Sequence, residues 1–278
     1  MEVILFGGSF DPIHKGHIEI IDKISNLSDK VIVIPNYLNP LKNNYSAPAK
    51  LRLKWLQQTI NNPKVEISDY EIKQNKPCYT IDTIKHFKKF YDKISFVIGA
   101  DNLPTLNKWK NINELKNLVE FIVVTRDNIP IKGYKTININ IPISSTEIRN
   151  GNFDYVPKNI KTEVINFYKR IKMKERIEKI VKVLDDKKAM DIETFDLSDK
   201  DYFVDAVVIA TTMGQKHGLA LLDDLKKKLK PEETFLFIDE SDDWTVIDLG
   251  DILIHLMSEE YRAKYQLEEF LSNFNKER

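Results

Sequence analysis

The chain has 278 residues, 42% of them apolar and 30% charged, with 42 basic and 42 acidic side chains that leave a formal net charge of zero. That length suits one large or two ordinary globular domains. No run approaches the roughly 18 apolar residues of a membrane span. The start "MEVILF" lacks the basic residues of a secretion signal, and the single cysteine, Cys78, excludes an intrachain disulfide framework and a cysteine-rich metal site, so a cytoplasmic protein is expected.

In chain order, the apolar runs at 2–6, 30–35, 64–68, 94–99 and 120–125 predict buried strands, separated by amphipathic patterns such as 17–24, 49–60 and 80–90 that predict helices. Strand–helix alternation with continuous apolar strands predicts a Rossmann-like, doubly wound parallel sheet covered on both faces. Such sheets bind ligands beyond the carboxyl ends of their strands.

After 162–172 the pattern restarts with a predicted amphipathic helix over 173–189. Strands follow at 191–197, 205–211, 234–239, 244–249 and 251–257, with helices at 217–229 and 261–274. Short connections between adjacent strands predict a mixed sheet in a second, smaller α/β domain. The expected domains are 1–171 and 172–278, with little or no linker. The charge divides in the same way: residues 1–172 hold 26 basic and 17 acidic side chains, and 173–278 hold 16 and 25, so the halves carry +9 and −9. A solvated surface accounts for this, as does a difference in partners.

"GGSFDPIHKGH" (7–17) follows the first strand. Glycines there let backbone approach a ligand, and the next helix turns its free N–H groups and positive dipole end toward it, which outlines a phosphate site. His14 and His17 fall three apart at the helix entry, where imidazole N–H groups can follow charge building on a leaving pyrophosphate. A metal pair would need a third ligand, and none is apparent; incidental surface histidines are the other reading. Asp11 can cap the loop beside Pro12 or meet a divalent cation. Cys78, beside Pro77, reads as inert.

The string resembles the HxGH signature of the nucleotidyltransferase superfamily, and more narrowly the GGxFDPxHxGH of nicotinate mononucleotide adenylyltransferases. "ISSTEIR" (143–149) resembles the second superfamily signature, "FVIGADNLPTLNKW" (96–109) the family's GAD…W block, "CYTIDTI" (78–84) its SYTxxTL segment and "FIVVTR" (121–126) its strand ending in arginine. The resemblance covers residues 1–170 in order. It implies direct adenylyl transfer from ATP with Mg²⁺ to nicotinate mononucleotide, with His14, His17 and Arg149 catalytic. Gly7, Gly8, Ser9, Phe10, Gly99, Asp101, Ser145 and Thr146 would bind ATP. Asn39, Lys42, Tyr79, Thr80, Lys108, Trp109 and Arg126 would bind the mononucleotide, with the Trp109 indole stacked on the pyridine ring. Read alone, Trp109 is equally an ordinary half-buried aromatic, and Arg126 a surface ion pair. One departure stands out: "NYLNPLK" (36–42) has Leu41 where the family carries a histidine. Another small adenylyl- or cytidylyltransferase, such as the one acting on phosphopantetheine, or a preference for the amide mononucleotide, is the alternative.

Residues 173–278 offer little chemistry of their own. Asp242, Asp243, Asp248 and Asp251 near strand ends could hold a metal or serve in turns and caps, and "TTMGQKHG" (211–218) lacks P-loop spacing. "DIETFDLSD" (191–199), "VVIATTMGQKH" (207–217), "DDWTVIDLGDILIHLM" (242–257) and "YRAKYQLEEF" (261–270) resemble the ribosomal silencing factor (Iojap-related) family, although "FLSNF" (270–274) stands where that family tends to end on a Leu-Trp pair. The resemblance implies binding to the large ribosomal subunit through a basic ribosomal protein and a block on subunit joining, and the −9 charge suits such a partner. Trp244, Asp248, His255, Tyr261 and Tyr265 are the candidates for the binding face, with core packing or capping as the other reading of each. A fusion of independent activities, a nucleotide-sensing translational regulator and an inactive first domain used as a scaffold are all consistent with this order, and a homodimer stays open.

Overall fold

The apolar runs of the first half form strands because both faces of each are covered. In the computed structural model, which describes residues 2–40, 45–125, 131–141 and 143–273, β1 (Glu2–Gly8) lies between β2 (Val31–Pro35) and a strand over Lys93–Gly99. With β3 (Val65–Ile67), β4 (Lys93–Gly99), β5 (Glu120–Thr125) and β6 (Lys135–Asn138) the order is β3-β2-β1-β4-β5-β6, every pairing parallel. Side chains alternate across the sheet. Val3, Leu5, Ile32, Ile34, Ile94, Phe96 and Val123 share one buried cluster. Their neighbours Ile4, Val31, Val33, Val97 and Ile122 are equally buried outside that cluster. This is the expected doubly wound parallel sheet.

The helices between these strands are α1 (Lys15–Ser25), α2 (Ala49–Thr59), α3 (Tyr70–Gln74), α4 (Thr80–Phe87), α5 (Ile112–Leu118) and α6 (Ser145–Arg149), with a 3₁₀ segment over Ala100–Lys108. β6 and α5 escape the sequence pattern. The strand is a four-residue, largely polar edge, and the helix is seven residues long with Leu115 as its one buried side chain.

Two compact units make up the chain, Met1–Tyr168 and Lys169–Arg278. The expected fresh helix at 173–189 is instead part of α7 (Lys161–Asp186), since residues 162–186 contain no glycine or proline to end it. Val164 and Tyr168 are buried in the first unit, and Met173, Ile180, Val183 and Leu184 in the core of the second.

The second unit holds β7 (Met190–Asp196), β8 (Ala206–Thr212), α8 (Gln215–Leu229), β9 (Phe237–Asp239), β10 (Trp244–Asp248), β11 (Ile252–Ser258), α9 (Glu259–Tyr265) and α10 (Leu267–Asn273). Its sheet order is β7-β8-β11-β10-β9, with β8 and β11 parallel and the other pairs antiparallel, so the sheet is mixed as the short connections predict. The single helix expected at 261–274 is two, broken where Gln266 takes the left-handed conformation at φ 46°. Arg176 fastens α7 within this unit, pairing with Glu233 (2.7 and 2.8 Å) and with Asp251 (2.6 and 2.8 Å).

Candidate active site

The strand order reverses between β1 and β4, and their carboxyl ends open a crevice where connections leave toward opposite faces. A cleft of about 800 Å³ lies there. Its walls bring together Gly7, Gly8, Ser9, His14, His17, Asn39, Tyr79, Thr80, Gly99, Asp101, Lys108, Trp109 and Ser145. Phe10, Thr146 and Arg149 are outside this lining. Lys42, Leu41 and Arg126 lie outside the described residues.

The two histidines cap α1 for each other. His14 is the N-cap: its Nδ1 accepts from the His17 backbone N–H at 3.3 Å, and the His17 Nδ1 accepts from the His14 N–H at 3.3 Å. Ser, Thr, Asp or Asn usually starts such a capping box. Because each Nδ1 accepts, each neutral ring carries its hydrogen on Nε2, which fixes both rings as Nε2–H donors. The rings stack with centroids 3.6 Å apart and planes 24° from parallel. Gly16 permits this, since a Cβ there would meet the His14 ring at 3.1 Å. Phe10 supports the pair from below: fully buried at φ 49°, it sets its ring edge against His17 at 5.0 Å. Phe10 can therefore offer a ligand backbone only.

Behind the loop lies a polar scaffold that the sequence pattern does not reveal. The Asp11 carboxylate, 3% exposed, accepts from the backbone N–H groups of Ser46 (3.0 Å) and Ala47 (2.9 Å) and from the Tyr168 hydroxyl (2.8 Å). Of its two expected roles, capping is the one this geometry displays. Arg52, fully buried, donates from Nε to the Ala47 carbonyl (3.0 Å), from one terminal nitrogen to the Ser9 carbonyl, and from the other to those of Asn36 (2.7 Å) and Tyr37 (3.0 Å). Its guanidinium stacks on Tyr45 at 4.5 Å, and burial lowers its pKa. Arg149 donates to the Asp11 carbonyl (2.6 Å) and the Thr146 hydroxyl (2.9 Å), so its guanidinium holds the loop beside the cleft. Ser145 donates its hydroxyl hydrogen to the Pro12 carbonyl at 3.0 Å, and Ser144 caps α6 in a box with Glu147. One signal for Arg52 exists: it shares the buried stripe of α2 with Trp55 and Leu56, at positions i, i+3 and i+4.

At the other end of the cleft, α4 begins after Tyr79 with no side-chain cap, its first turn facing the wall through Thr80. Trp109 is half-buried, packed on the first-unit core and lining the cleft. Lys108 is exposed, and Lys110 sits 4.3 Å over the Tyr79 ring. Asp101 lies in the first turn of the 3₁₀ segment beside Gly99; a Cβ on Gly99 would collide with the Asp101 carboxylate. Asn39 donates its N–H to the Tyr45 hydroxyl at 3.2 Å. Burial pushes the Cys78 thiol up to about 11, keeping it protonated and unreactive at neutral pH. Among the described residues no group of three or more His, Cys, Asp or Glu side chains could hold a metal ion.

In the second unit, Trp244, Tyr261 and Tyr265 form an aromatic cluster with centroids 5.0 Å (Trp244–Tyr265) and 5.7 Å (Tyr261–Tyr265) apart. His255 departs from the expected surface role. It is 9% exposed, its Nδ1 accepts from the Trp244 indole N–H at 3.1 Å, and burial lowers its pKa to about 4. Its ring anchors Trp244 from beneath. Asp248 accepts from the Gly250 N–H at 2.6 Å and holds the β10–β11 turn.

A Rossmann-like sheet with a histidine-capped helix at its switch point defines a nucleotidyltransferase-type unit, and comparison with known proteins bears this out. Residues 5–151 match the cytidylyltransferase-like family model, and residues 170–277 match that of the ribosomal silencing factor during starvation. A protein of Sulfurimonas denitrificans named "Probable nicotinate-nucleotide adenylyltransferase" is 46% identical over 172 residues, which is 60% of this chain and 94% of that protein. Proteins of the same name from Nitratiruptor sp. (42% identical, 61% of this chain, 99% of theirs) and Campylobacter fetus (46%, 61%, 97%) agree. Among solved structures, a Plasmodium falciparum nicotinic acid mononucleotide adenylyltransferase complexed with NaAD is 21% identical, covering 61% of this chain and 95% of that one at a TM-score of 0.47. The chain belongs to the nicotinate-nucleotide adenylyltransferase family, an enzyme family, and carries a ribosomal silencing factor domain behind it.

Proposed function

We propose that the first domain, 1–171, transfers AMP from ATP to nicotinate mononucleotide. The observation that carries this reading is the reciprocal cap of His14 and His17, two fixed Nε2–H donors in the wall of a cleft of about 800 Å³. A phosphate oxygen of the mononucleotide attacks the α-phosphorus of ATP in line. The bond from that phosphorus to the bridging oxygen breaks, and pyrophosphate leaves with the electron pair. The histidine donors, with the backbone N–H groups at the start of α1, follow the charge that builds on the leaving oxygens. No covalent intermediate is needed, since positioning and charge stabilisation supply the catalysis.

Mg²⁺ enters as part of the substrate. Mg²⁺ keeps much of its water and is usually held by one or two carboxylates together with substrate phosphates, and the Asp11 carboxylate is already occupied by three donors. Arg149 acts by holding the loop at Asp11 and Thr146. Gly7, Gly8, Ser9 and Ser145 line the triphosphate end, with Gly99 and Asp101 beside the adenosine. Tyr79, Thr80, Lys108, Trp109 and Asn39 surround the mononucleotide, with Lys42 and Arg126 completing the set from outside the described residues.

The second domain, 172–278, binds the large ribosomal subunit through a basic protein and opposes subunit joining. The aromatic cluster of Trp244, Tyr261 and Tyr265, with Lys264 over both tyrosine rings at 5.4 and 5.2 Å, is the surface that supports this.

Pyrophosphate release from ATP and Mg²⁺ tests the first reading, with nicotinate mononucleotide, nicotinamide mononucleotide and phosphopantetheine offered separately. Release with the first, lost in His17→Ala, is expected; no release with any acceptor would sink it. Co-sedimentation with large ribosomal subunits, with and without nucleotide, tests the second and tells an independent fusion from a nucleotide-sensing regulator.

A further inference from the structure

A carboxyl with one oxygen unpaired lies in the wall of the cleft. Glu71, on α3, is 6% exposed and lines the same end as Cys78, Tyr79, Thr80 and Thr83. Its Oε1 accepts from the Thr83 hydroxyl at 2.7 Å, but its Oε2 is buried with no hydrogen-bond partner. A buried unsatisfied oxygen in a folded protein calls for a reason, and a ligand that completes the hydrogen bond is one. No ion pair reaches it among the described residues. The titratable groups that interact with it are Tyr70 on its own helix, Tyr45 and Cys78, and none is a cation.

We propose that the Glu71 carboxyl, in its neutral form, donates a hydrogen bond from Oε2 to the carboxylate on the acceptor's ring, and so sets the preference for an acid over an amide. The inference rests on the adenylyl-transfer reading and names the group that selects its acceptor. A neutral carboxyl and a carboxylate share one proton well, whereas two carboxylates side by side repel. An ionised Glu71 reverses the preference, because its free oxygen then accepts from an amide N–H. One donor or acceptor in a dry pocket decides such discrimination, since the wrong partner leaves a buried group unpaired.

Burial raises the Glu71 pKa to about 7, against a smaller opposing pull from the Thr83 hydrogen bond. The reversal therefore falls in an accessible pH range. Changes in the acceptor phosphate or in ATP affect both acceptors alike, so the ratio of kcat/KM for nicotinate mononucleotide to that for nicotinamide mononucleotide isolates the pocket.

The test measures that ratio from pH 6 to 9 in the full-length protein and two variants. In the unaltered protein it should fall about tenfold or more between pH 7 and 8.5, following the ionised fraction. Glu71→Gln, which keeps a donor and cannot ionise, should retain acid use with a flat ratio. Thr83→Val removes the bond that favours ionisation, so its midpoint should move to higher pH. The Thr83→Val shift stands even if Glu71→Gln fails to fold, and a merely structural carboxyl would not produce it. A flat ratio in the unaltered protein, an unchanged slope in Glu71→Gln or an unmoved midpoint in Thr83→Val overturns the role of Glu71 while leaving the enzyme intact. Absence of turnover with either mononucleotide overturns the adenylyl-transfer reading itself.

Discussion

The hydroxyl of Tyr168 donates to the carboxylate of Asp11 at 2.8 Å, joining α7 to the loop that follows β1 across 157 residues of sequence. Burial and the neighbouring carboxylate push the Tyr168 hydroxyl far upward, so it stays a donor at any working pH. Tyr168→Phe removes one of three donors from a buried carboxylate and leaves the two backbone bonds in place. A hydrogen bond to a charged group contributes about 1.5–3 kcal/mol. The variant should therefore unfold about 2 kcal/mol more easily in urea and keep most of its activity. An unchanged midpoint would mean that the tyrosine contributes packing against Trp55 and nothing more.

His14 combines a cap with a donor, and the two can be separated. Asparagine is among the best N-caps, yet it has no ring to set an Nε2–H beside His17. His14→Asn should leave the melting temperature within a few degrees of the parent. Its kcat should fall roughly 100- to 1000-fold, the usual consequence of losing one preorganised donor to transition-state charge. Steady-state pyrophosphate release alongside calorimetry decides it. A large loss of stability with little loss of kcat would place the histidine in the scaffold and outside the chemistry.

Arg52 gathers the carbonyls of Ser9, Asn36, Tyr37 and Ala47 around one buried fork. Lysine cannot reproduce that planar set of donors, and it leaves several carbonyls unpaired in a dry site. Arg52→Lys should lose roughly 2–4 kcal/mol of stability. Its KM for ATP should rise about tenfold, because the Ser9 carbonyl belongs to the loop proposed to hold the phosphates and a small misplacement there is amplified in binding and rate. Retention of both properties would show that the loops hold their shape without the fork.

These residues also mark how far the sequence alone could be read. The sheet and the histidine pair were legible because their signals are local: an apolar run makes a buried strand, and two histidines three apart share one helix entry. The network of Asp11, Arg52 and Tyr168 was not, since its partners are far apart in sequence and come together only in the fold. Glu71 reads as one more surface charge until burial is known. The break at Gln266 and the unbroken α7 fail for a different reason. Periodicity reports which face of a helix is apolar, but not where a residue without glycine's freedom is forced into the left-handed region, nor that a helix runs on past the point where the pattern restarts. For Arg52, a cation on the apolar stripe of α2 was the one visible hint.

His255 ties pH to the second unit. Its ring is buried and neutral, with a pKa lowered by burial to about 4 against an ordinary 6.5. The unfolded chain takes up its proton first, so stability is fully present above pH 6.5 and is lost as the pH falls toward 4. The difference corresponds to about 3 kcal/mol. Protonation would also place a hydrogen on the Nδ1 that now accepts from the Trp244 indole. In the intact chain, amide hydrogen exchange in β10 and β11 should accelerate between pH 6.5 and 4.5 beyond the intrinsic change in exchange rate. The indole N–H resonance of Trp244 should shift with it. His255→Gln offers an acceptor for the indole and does not titrate, so its β10 and β11 amides should keep their protection over the same range. Equal acid loss in both proteins would assign the effect to carboxylates such as Asp251, whose pKa is lowered by its pairing with Arg176.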